Sequence, residues 1–464
     1  MMTRRDMLHR TALGFGSVAF TSMLHAENPL AARRPHFKPR AKRVIFLFMK
    51  GGPAHMDTFE YKPLLQRDHG KPLPFAKPKV TFAATGNLLA SPWKFKKYGQ
   101  CGHQVSELFP NVARHVDDIC FLHGAHGTNP AHGGALLKLH TGADNFVRPS
   151  MGAWVSYGLG TENANLPAFV TICPTLAHGG VNNWGSAFLP AHYAGTPIGN
   201  ASIKAKDAKV HHIKNPKWTP GQQRAQLDFL KQLNRDHLGG VPNPVLESRI
   251  NSFELAFRMQ TAMPEIQDIR GETEATRKLY GLDNAVTEDF GRQCLMARRF
   301  AERGVRFVQV THSDSKVQWD QHGNLRKGHT EKASEVDKPI AGLLHDLKAR
   351  GLLDDTLVVW GGEFGRTPMN EVRRGNTPGK EGRDHHPFAF SMWLAGGGIK
   401  PGQVIGTTDE LGYHITRDPI HVHDLQATIL HCLGIDHKKL TYRHQGRDFR
   451  LTDVAGNVVE KLLA

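Results

Sequence analysis

Apolar runs bounded by glycine, proline or charge recur along the chain, and between them apolar positions fall at helical spacing. The run Val44-Ile45-Phe46-Leu47-Phe48-Met49 lies between Arg43 and Gly51-Gly52-Pro53 and shows no polar alternation. A continuous run of this length predicts a strand covered on both faces, as in a parallel sheet. Ile119 to Leu122, Ala168 to Ile172, Val305 to Val310, Thr356 to Trp360 and Phe388 to Leu394 predict further strands. A helix is expected from Gly133 to Thr141, stopped by Gly142. Others are expected over Gln223 to Leu233, Leu246 to Met259 and Glu288 to Arg303. Val336, Ile340, Leu343, Leu344 and Leu347 form one helical stripe, and Leu425, Thr428, Ile429 and Leu433 form another that ends at Gly434. Strands alternating with helices imply an α/β fold, a mainly parallel sheet with helices on both faces. Residues 42–464 are read as one domain, with a helical insertion over about 195–303.

The N-terminus changes the picture. Arg4 and Arg5 precede a short apolar run over 11–24, and Ala26 offers a small residue for cleavage. Residues 1–26 are read as a twin-arginine signal peptide, and 27–41, rich in Pro, Arg and Lys, as a flexible leader. The competing reading is an amphipathic helix that stays on the protein. The signal predicts export of a folded protein to the periplasm or the exterior. Such a protein can load a metal in the cytoplasm. No stretch reaches the ~20 apolar residues of a membrane span.

The composition, 39% hydrophobic and 22% charged, is that of a globular chain. Its net charge of +16 suits anionic partners such as sulfated or phosphorylated polymers, although a solvated basic surface reads equally well. The charge is spread rather than blocked, which argues against nucleic-acid binding. Five scattered cysteines, none in a CxxC pair, argue against a disulfide framework, leaving only Cys101 and Cys120 open to bridging.

Ligands in such sheets bind beyond the carboxyl ends of the strands. Polar residues just past those ends are Asp57, then His312, Asp314, Asp320 and His322, then Glu363; Asp384-His385-His386 precede a later strand. Carboxylates and imidazoles gathered from separate loops are the ligands divalent cations take, and zinc, calcium, magnesium and manganese all stay open. Each Asp–His pair read singly is equally a surface hydrogen bond. Arg366 and Arg383 flank the set. A guanidinium there either grips phosphate or sulfate or pairs with a neighbouring carboxylate.

The segment from Val44 through Lys50-Gly51-Gly52-Pro53-Ala54-His55-Met56-Asp57 to Phe59 resembles the opening of the DUF1501 family of exported bacterial proteins of unknown function. Trp319-Asp320-Gln321-His322-Gly323, Gly362-Glu363-Phe364-Gly365-Arg366-Thr367-Pro368, and Gly382-Arg383-Asp384-His385 with Leu394-Ala395-Gly396-Gly397-Gly398 match as well. That family resembles the alkaline phosphatase and sulfatase superfamily. The resemblance implies an alkaline phosphatase-like core and a metal-dependent hydrolase of phosphate or sulfate esters, in which a hydroxyl or modified cysteine attacks phosphorus or sulfur. Thr128-Asn129-Pro130-Ala131-His132, followed by Thr141-Gly142, resembles the nucleophile loop of superfamily phosphodiesterases. It makes Thr128 the candidate nucleophile with His132 beside it; the plainer alternative is that Thr128 caps a helix. Asp57, Asp320, His322, Glu363, Asp384 and His385 are the implied metal ligands, and Arg366 and Arg383 the substrate-binding residues. Two positions depart from the superfamily pattern. Lys50 stands where its first strand ends in aspartate, and Glu363-Phe364 stands where it has Asp-His. A non-catalytic exported binding protein with the same fold is the alternative function.

Overall fold

A computed structural model of the chain describes residues 30–76, 83–211, 213–238, 243–314, 318–372 and 379–464. The twin-arginine segment and residues 27–29 of the leader lie outside the described residues. Among those described, no helix is long and apolar enough to cross a membrane.

The centre of the molecule is a nine-stranded sheet. Its strands in chain order are β1 (Arg43–Met49), β2 (Ile119–His126), β3 (Phe169–Ile172), β4 (Thr196–Ile198), β5 (Phe307–His312), β6 (Thr356–Gly361), β7 (Phe390–Ala395), β8 (Gln403–Ile405) and β9 (Ile420–His421). They are arranged β8-β2-β7-β6-β1-β5-β3-β4, with β9 also pairing β2. β1 runs parallel to β5 on one side and to β6 on the other. Only β7 runs against its neighbours, pairing antiparallel with both β2 and β6. The sheet is therefore mainly parallel, as the apolar runs predict.

Val44 to Met49 are almost wholly excluded from solvent, so both faces of the sheet are covered. Each such apolar side chain contributes about 1.5–3 kcal/mol on burial. The longer helices are α1 (His132–Thr141), α2 (Met151–Leu159), α3 (Pro220–Leu238), α4 (Pro244–Gln267), α5 (Glu288–Glu302), α6 (Leu325–Ala349) and α7 (Val422–Cys432), of which α3 packs on α4 rather than on the sheet. α5 packs on β1 and β5, and α6 packs on α5. The helical stretch begins after β4, which belongs to the sheet, and α5 at its far end belongs to the core. α6 extends N-terminal to the stripe seen in the sequence because Leu325, His329 and Ala333 continue its buried face. All five cysteines are free, with Cys101 exposed and Cys120 buried in β2, so the Cys101–Cys120 bridge does not form.

The register aligns the ends of three adjacent strands. Met49 pairs with His312, and Phe48 with Gly361. The residues that follow β1, β5 and β6 consequently emerge side by side. β2 runs in the same direction, and antiparallel β7 begins at that edge, so the loops after His126 and before Phe390 arrive there too.

Candidate metal centre

Asp320 is the hub of this edge. Its Oδ1 lies 2.9 Å from His322 Nε2 and 3.0 Å from His385 Nε2, and its Oδ2 lies 3.3 Å from His132 Nε2. The same Oδ1 accepts a 2.5 Å hydrogen bond from Arg366. Three imidazoles from three separate segments thus turn the same ring nitrogen toward one carboxylate.

Each imidazole is oriented from behind through Nδ1. His132, the first residue of α1, donates at 2.6 Å to Glu363 Oε1. Both oxygens of Glu363 accept from the Gly51 N–H, at 2.9 and 3.1 Å. Gly51 has φ of +114°, and a side chain there would come within 2.5 Å of the Trp319 nitrogen and 2.7 Å of the Asp320 nitrogen. Only glycine lets the backbone after β1 pass this close to the aspartate segment. His322 Nδ1 is hydrogen-bonded to Glu371, which is buried on the short strand Met369–Val372. His385 Nδ1 donates to the Pro130 carbonyl at 2.6 Å. A carboxylate or carbonyl behind each Nδ1 fixes the tautomer whose Nε2 carries the lone pair, as behind metal-bound histidines.

The electrostatics follow from burial and these partners. Burial opposes ionisation of Asp320, but the Arg366 guanidinium and the three imidazoles outweigh it and hold the carboxyl far below its usual range. Burial also opposes charge on His132 and His322. The carboxylates of Asp320 and Glu363 still raise the first, and those of Asp320 and Glu371 raise the second. His385 goes the other way: burial and the neighbouring Arg366 push it to about 3. Its neutral ring must donate from Nδ1 to Pro130, so its Nε2 lone pair faces the ionised Asp320. The two atoms stand 3.0 Å apart.

The residues fit a divalent cation. His132 Nε2 is buried and lacks a hydrogen-bond partner of good geometry although Asp320 is close, and a cation among the imidazoles and this carboxylate would engage it. Among the described residues, His132, Asp320 and His385 form one set whose ligand atoms lie within 4.8 Å of one another, and His322, Asp384 and His385 form a second. Asp384 accepts from the His385 N–H at 2.8 Å and stands 3.9 Å from His322. Burial and the nearby Glu371 charge raise its carboxyl.

The other candidates sit elsewhere or act otherwise. Asp57, on the short helix His55–Thr58, forms a two-pronged ion pair with Arg383, at 2.7 and 3.0 Å, with both side chains wholly buried. Arg383 spends its remaining donors on the carbonyls of Thr367 and Leu89. Arg366 is also buried and donates to the carbonyls of Gly52, Arg383 and Gly51 besides Asp320. Both guanidiniums brace the loops and present no open face to a ligand. Glu363 supports His132 from behind. Thr128 is exposed on the loop after β2, between that strand and His132. Lys50 is fully buried, and its affinity for protons is lowered by that burial against the pull of Glu363, Asp314 and Asp320.

Two residues at this edge escape a reading of the sequence. Glu371 shares the inward face of its strand with Met369, a period-two position where an apolar residue is expected. His178 stacks on His132 at 4.9 Å and 15° from a residue with positive φ, which nothing in the local sequence signals. Phe364 packs its ring on His385 at 4.3 Å and on His132 at 4.9 Å, closing the cluster on one side.

The chain belongs to the family described as Protein of unknown function (DUF1501), whose model matches residues 41–463. No curated protein matches the chain. Among solved structures it is similar to the phosphonate monoester hydrolase of Silicibacter pomeroyi, at 12% identity and a TM-score of 0.36, over 84% of this chain and 73% of that one. A sulfatase from a Pseudoalteromonas species matches at 14% identity and a TM-score of 0.34, over 90% of this chain and 70% of the other. The alkaline phosphatase of the Antarctic bacterium TAB5 matches at 11% identity and 0.33, over 85% of this chain and 98% of that one.

Proposed function

We propose that this DUF1501 protein is an exported, metal-dependent hydrolase of phosphate or sulfate esters. The observation that carries the reading is the convergence of His132, His322 and His385 Nε2 on Asp320, each ring held from behind by a carboxylate or a carbonyl. Three imidazoles and a carboxylate suit zinc or another imidazole-binding first-row ion better than magnesium or calcium, which prefer oxygen. When bound, such an ion supplies a Lewis acid for the charge that develops on phosphoryl or sulfuryl oxygens.

The chain's own residues divide the remaining work. Glu363, Glu371 and the Pro130 carbonyl hold the Nδ1 protons, so the rings keep one tautomer. Thr128 is the candidate nucleophile. Its hydroxyl lies on the loop whose Pro130 carbonyl and His132 ring both touch the cluster. In the proposed step its oxygen bonds to phosphorus or sulfur, the bond to the ester oxygen breaks, and the alcohol leaves with that electron pair and a proton. His178, stacked on His132 at this edge, is the candidate to take the hydroxyl proton.

One observation favours the alternative. Arg366 already meets Asp320 at 2.5 Å, and Lys50 lies in the field of Glu363 and Asp320, so a binding protein without turnover has built-in counter-charges. The two readings separate on protein purified without a histidine tag. Elemental analysis is expected to return one transition-metal ion per chain, with hydrolysis of an aryl phosphate or aryl sulfate that disappears in Thr128→Ala. A chain with no metal and no turnover after zinc or manganese is added overturns the hydrolase and leaves the binding protein.

A further inference from the structure

The α3–α4 hairpin carries apolar side chains that neither the core nor the metal cluster uses. α3 packs on α4, and its outer face sets Phe229, Leu230 and Leu233 at the i, i+1 and i+4 spacing of one helical stripe. Phe253 on α4 and Trp218, just before α3, extend the stripe, and all five side chains are 39–61% exposed. The other six tryptophans of the chain are at most 7% exposed, so Trp218 is out of keeping with its own kind. Single apolar residues are ordinary on a protein surface, whereas a joined group marks a contact.

Three open grooves join this group. One of about 370 Å³ runs between the two helices and is lined by Leu227, Leu230, Phe253 and Phe257. It shares Gln223, Phe257 and Gln260 with a groove of about 340 Å³ that holds Trp218, Lys214 and Arg258. It shares Phe253 with a groove of about 460 Å³ that holds Phe188, Tyr442 and Arg249. Among the described residues no carboxylate lines any of the three. Lys214, Arg249 and Arg258 form no ion pair there, whereas Arg224 on the same hairpin is held by Asp228 and Glu254. The surface is therefore apolar and cationic at once, which decides between occupants. A sulfated polymer would answer the cations and leave Phe229, Leu233 and Trp218 in water. A second copy seated across a two-fold axis would set the same three cations against themselves. An anionic bilayer meets both demands, since its headgroups face lysine and arginine while tryptophan, phenylalanine and leucine enter the boundary with the acyl chains.

We infer that the α3–α4 hairpin docks the protein on the surface of an anionic lipid bilayer, with Trp218, Phe229, Leu233 and Phe253 in the interface and Lys214, Arg249 and Arg258 on the headgroups. The contact is peripheral, since no described helix is long and apolar enough to cross a membrane. It is independent of the hydrolase reading, because none of these residues belongs to the metal cluster.

The test floats the full chain with vesicles of phosphatidylcholine, with or without phosphatidylglycerol. The protein is expected to rise with the mixed vesicles, to stay behind with phosphatidylcholine alone, and to bind less as salt increases. Arg249→Gln and Arg258→Gln should each weaken binding about fivefold. Phe229→Ser with Leu233→Ser, at exposed positions the fold does not need, should weaken it at least about tenfold. Brominated lipids read insertion on unmodified protein: they should quench its fluorescence, and Trp218→Phe should abolish that quenching because the other tryptophans are buried. The inference is overturned if the mixed vesicles do not bind, if both vesicle types bind alike, or if binding survives both sets of substitutions. Quenching that persists without Trp218 overturns it too. A dimer in sedimentation that the Phe229 and Leu233 substitutions dissociate would assign the face to a second copy, and binding of dextran sulfate in place of vesicles would assign it to a polymer; either result also overturns the bilayer. Metal content is measured on the same samples, so failure here leaves the hydrolase reading standing or falling on its own.

Discussion

Asp320→Asn removes the charge on which three imidazoles converge while keeping the shape of the side chain. Arg366 keeps the carbonyls of Gly51, Gly52 and Arg383, but its buried guanidinium loses its charged partner, which costs the fold about 3–5 kcal/mol. The effect of the substitution on metal binding should be nearly complete, because the anionic ligand shared by His132, His322 and His385 is gone. The size of the signal can be worked out in advance. A ligand at a hundred times its dissociation constant stabilises the folded state by about 2.7 kcal/mol. For a domain of roughly 430 residues, the entropy of unfolding is about 0.9 kcal/mol per kelvin, so that gain raises Tm by about 3 °C. Chelator-treated wild-type protein titrated with zinc is expected to show this rise in a thermal-shift assay, together with one ion per chain by elemental analysis. Asp320→Asn should melt about 3–6 °C below chelator-treated wild type and show no rise on titration. The reasoning fails if the variant shows the same zinc-dependent increment as the wild type, or if the wild type shows none.

Glu371→Gln should leave the ligands in place but loosen His322, lowering zinc affinity about 10- to 100-fold by competition with a fluorescent chelator; unchanged affinity removes Glu371 from the site. Asp57→Asn breaks a wholly buried ion pair and should cost about 3–5 kcal/mol in chemical denaturation while metal content stays at one ion per chain; a loss of metal at full stability would instead make Asp57 a ligand. Glu60 supplies a pH dependence remote from the cluster. Burial opposes its charge, but His123, His55, Lys62 and the Thr408 hydroxyl outweigh it and hold the carboxyl at about 2. A depressed carboxyl stabilises the fold above its unfolded value near 4.5 and loses that contribution as pH falls toward 2. Acidification through that window should therefore cost the wild type up to about 3 kcal/mol more than Glu60→Gln, and parallel stability curves for the two proteins would rule this out. Replacing Arg4 and Arg5 with lysine should hold the precursor in the cytoplasm on cell fractionation, and normal export of that variant would remove the twin-arginine assignment.

The sheet was legible because burial on both faces leaves an unbroken apolar run, and Val44 to Met49 and Thr356 to Trp360 carry that mark without ambiguity. The direction of β7 was not. Phe390 to Ala395 is as apolar as its neighbours, and nothing in six residues records which way the strand enters a sheet. The same limit shapes the reading of the site. Asp320, His322 and His385 stand out because polar residues past strand ends face the edge where ligands bind. Which nitrogen each imidazole turns inward depends on Glu363, Glu371 and the Pro130 carbonyl, and these lie 231, 49 and 255 residues away in the chain from the rings they hold. Arginine shows the point most sharply. Arg366 and Arg383 beside a carboxylate cluster read as anion grips, yet a guanidinium carries five donors, and burial obliges the fold to satisfy them. The loops after β1 supply the acceptors: the carbonyls of Gly51 and Gly52 for Arg366, and the Asp57 carboxylate for Arg383. The two arginines therefore tie the β1 loop to the Asp320 and His385 loops, which is how residues from three distant stretches of sequence come to share one carboxylate.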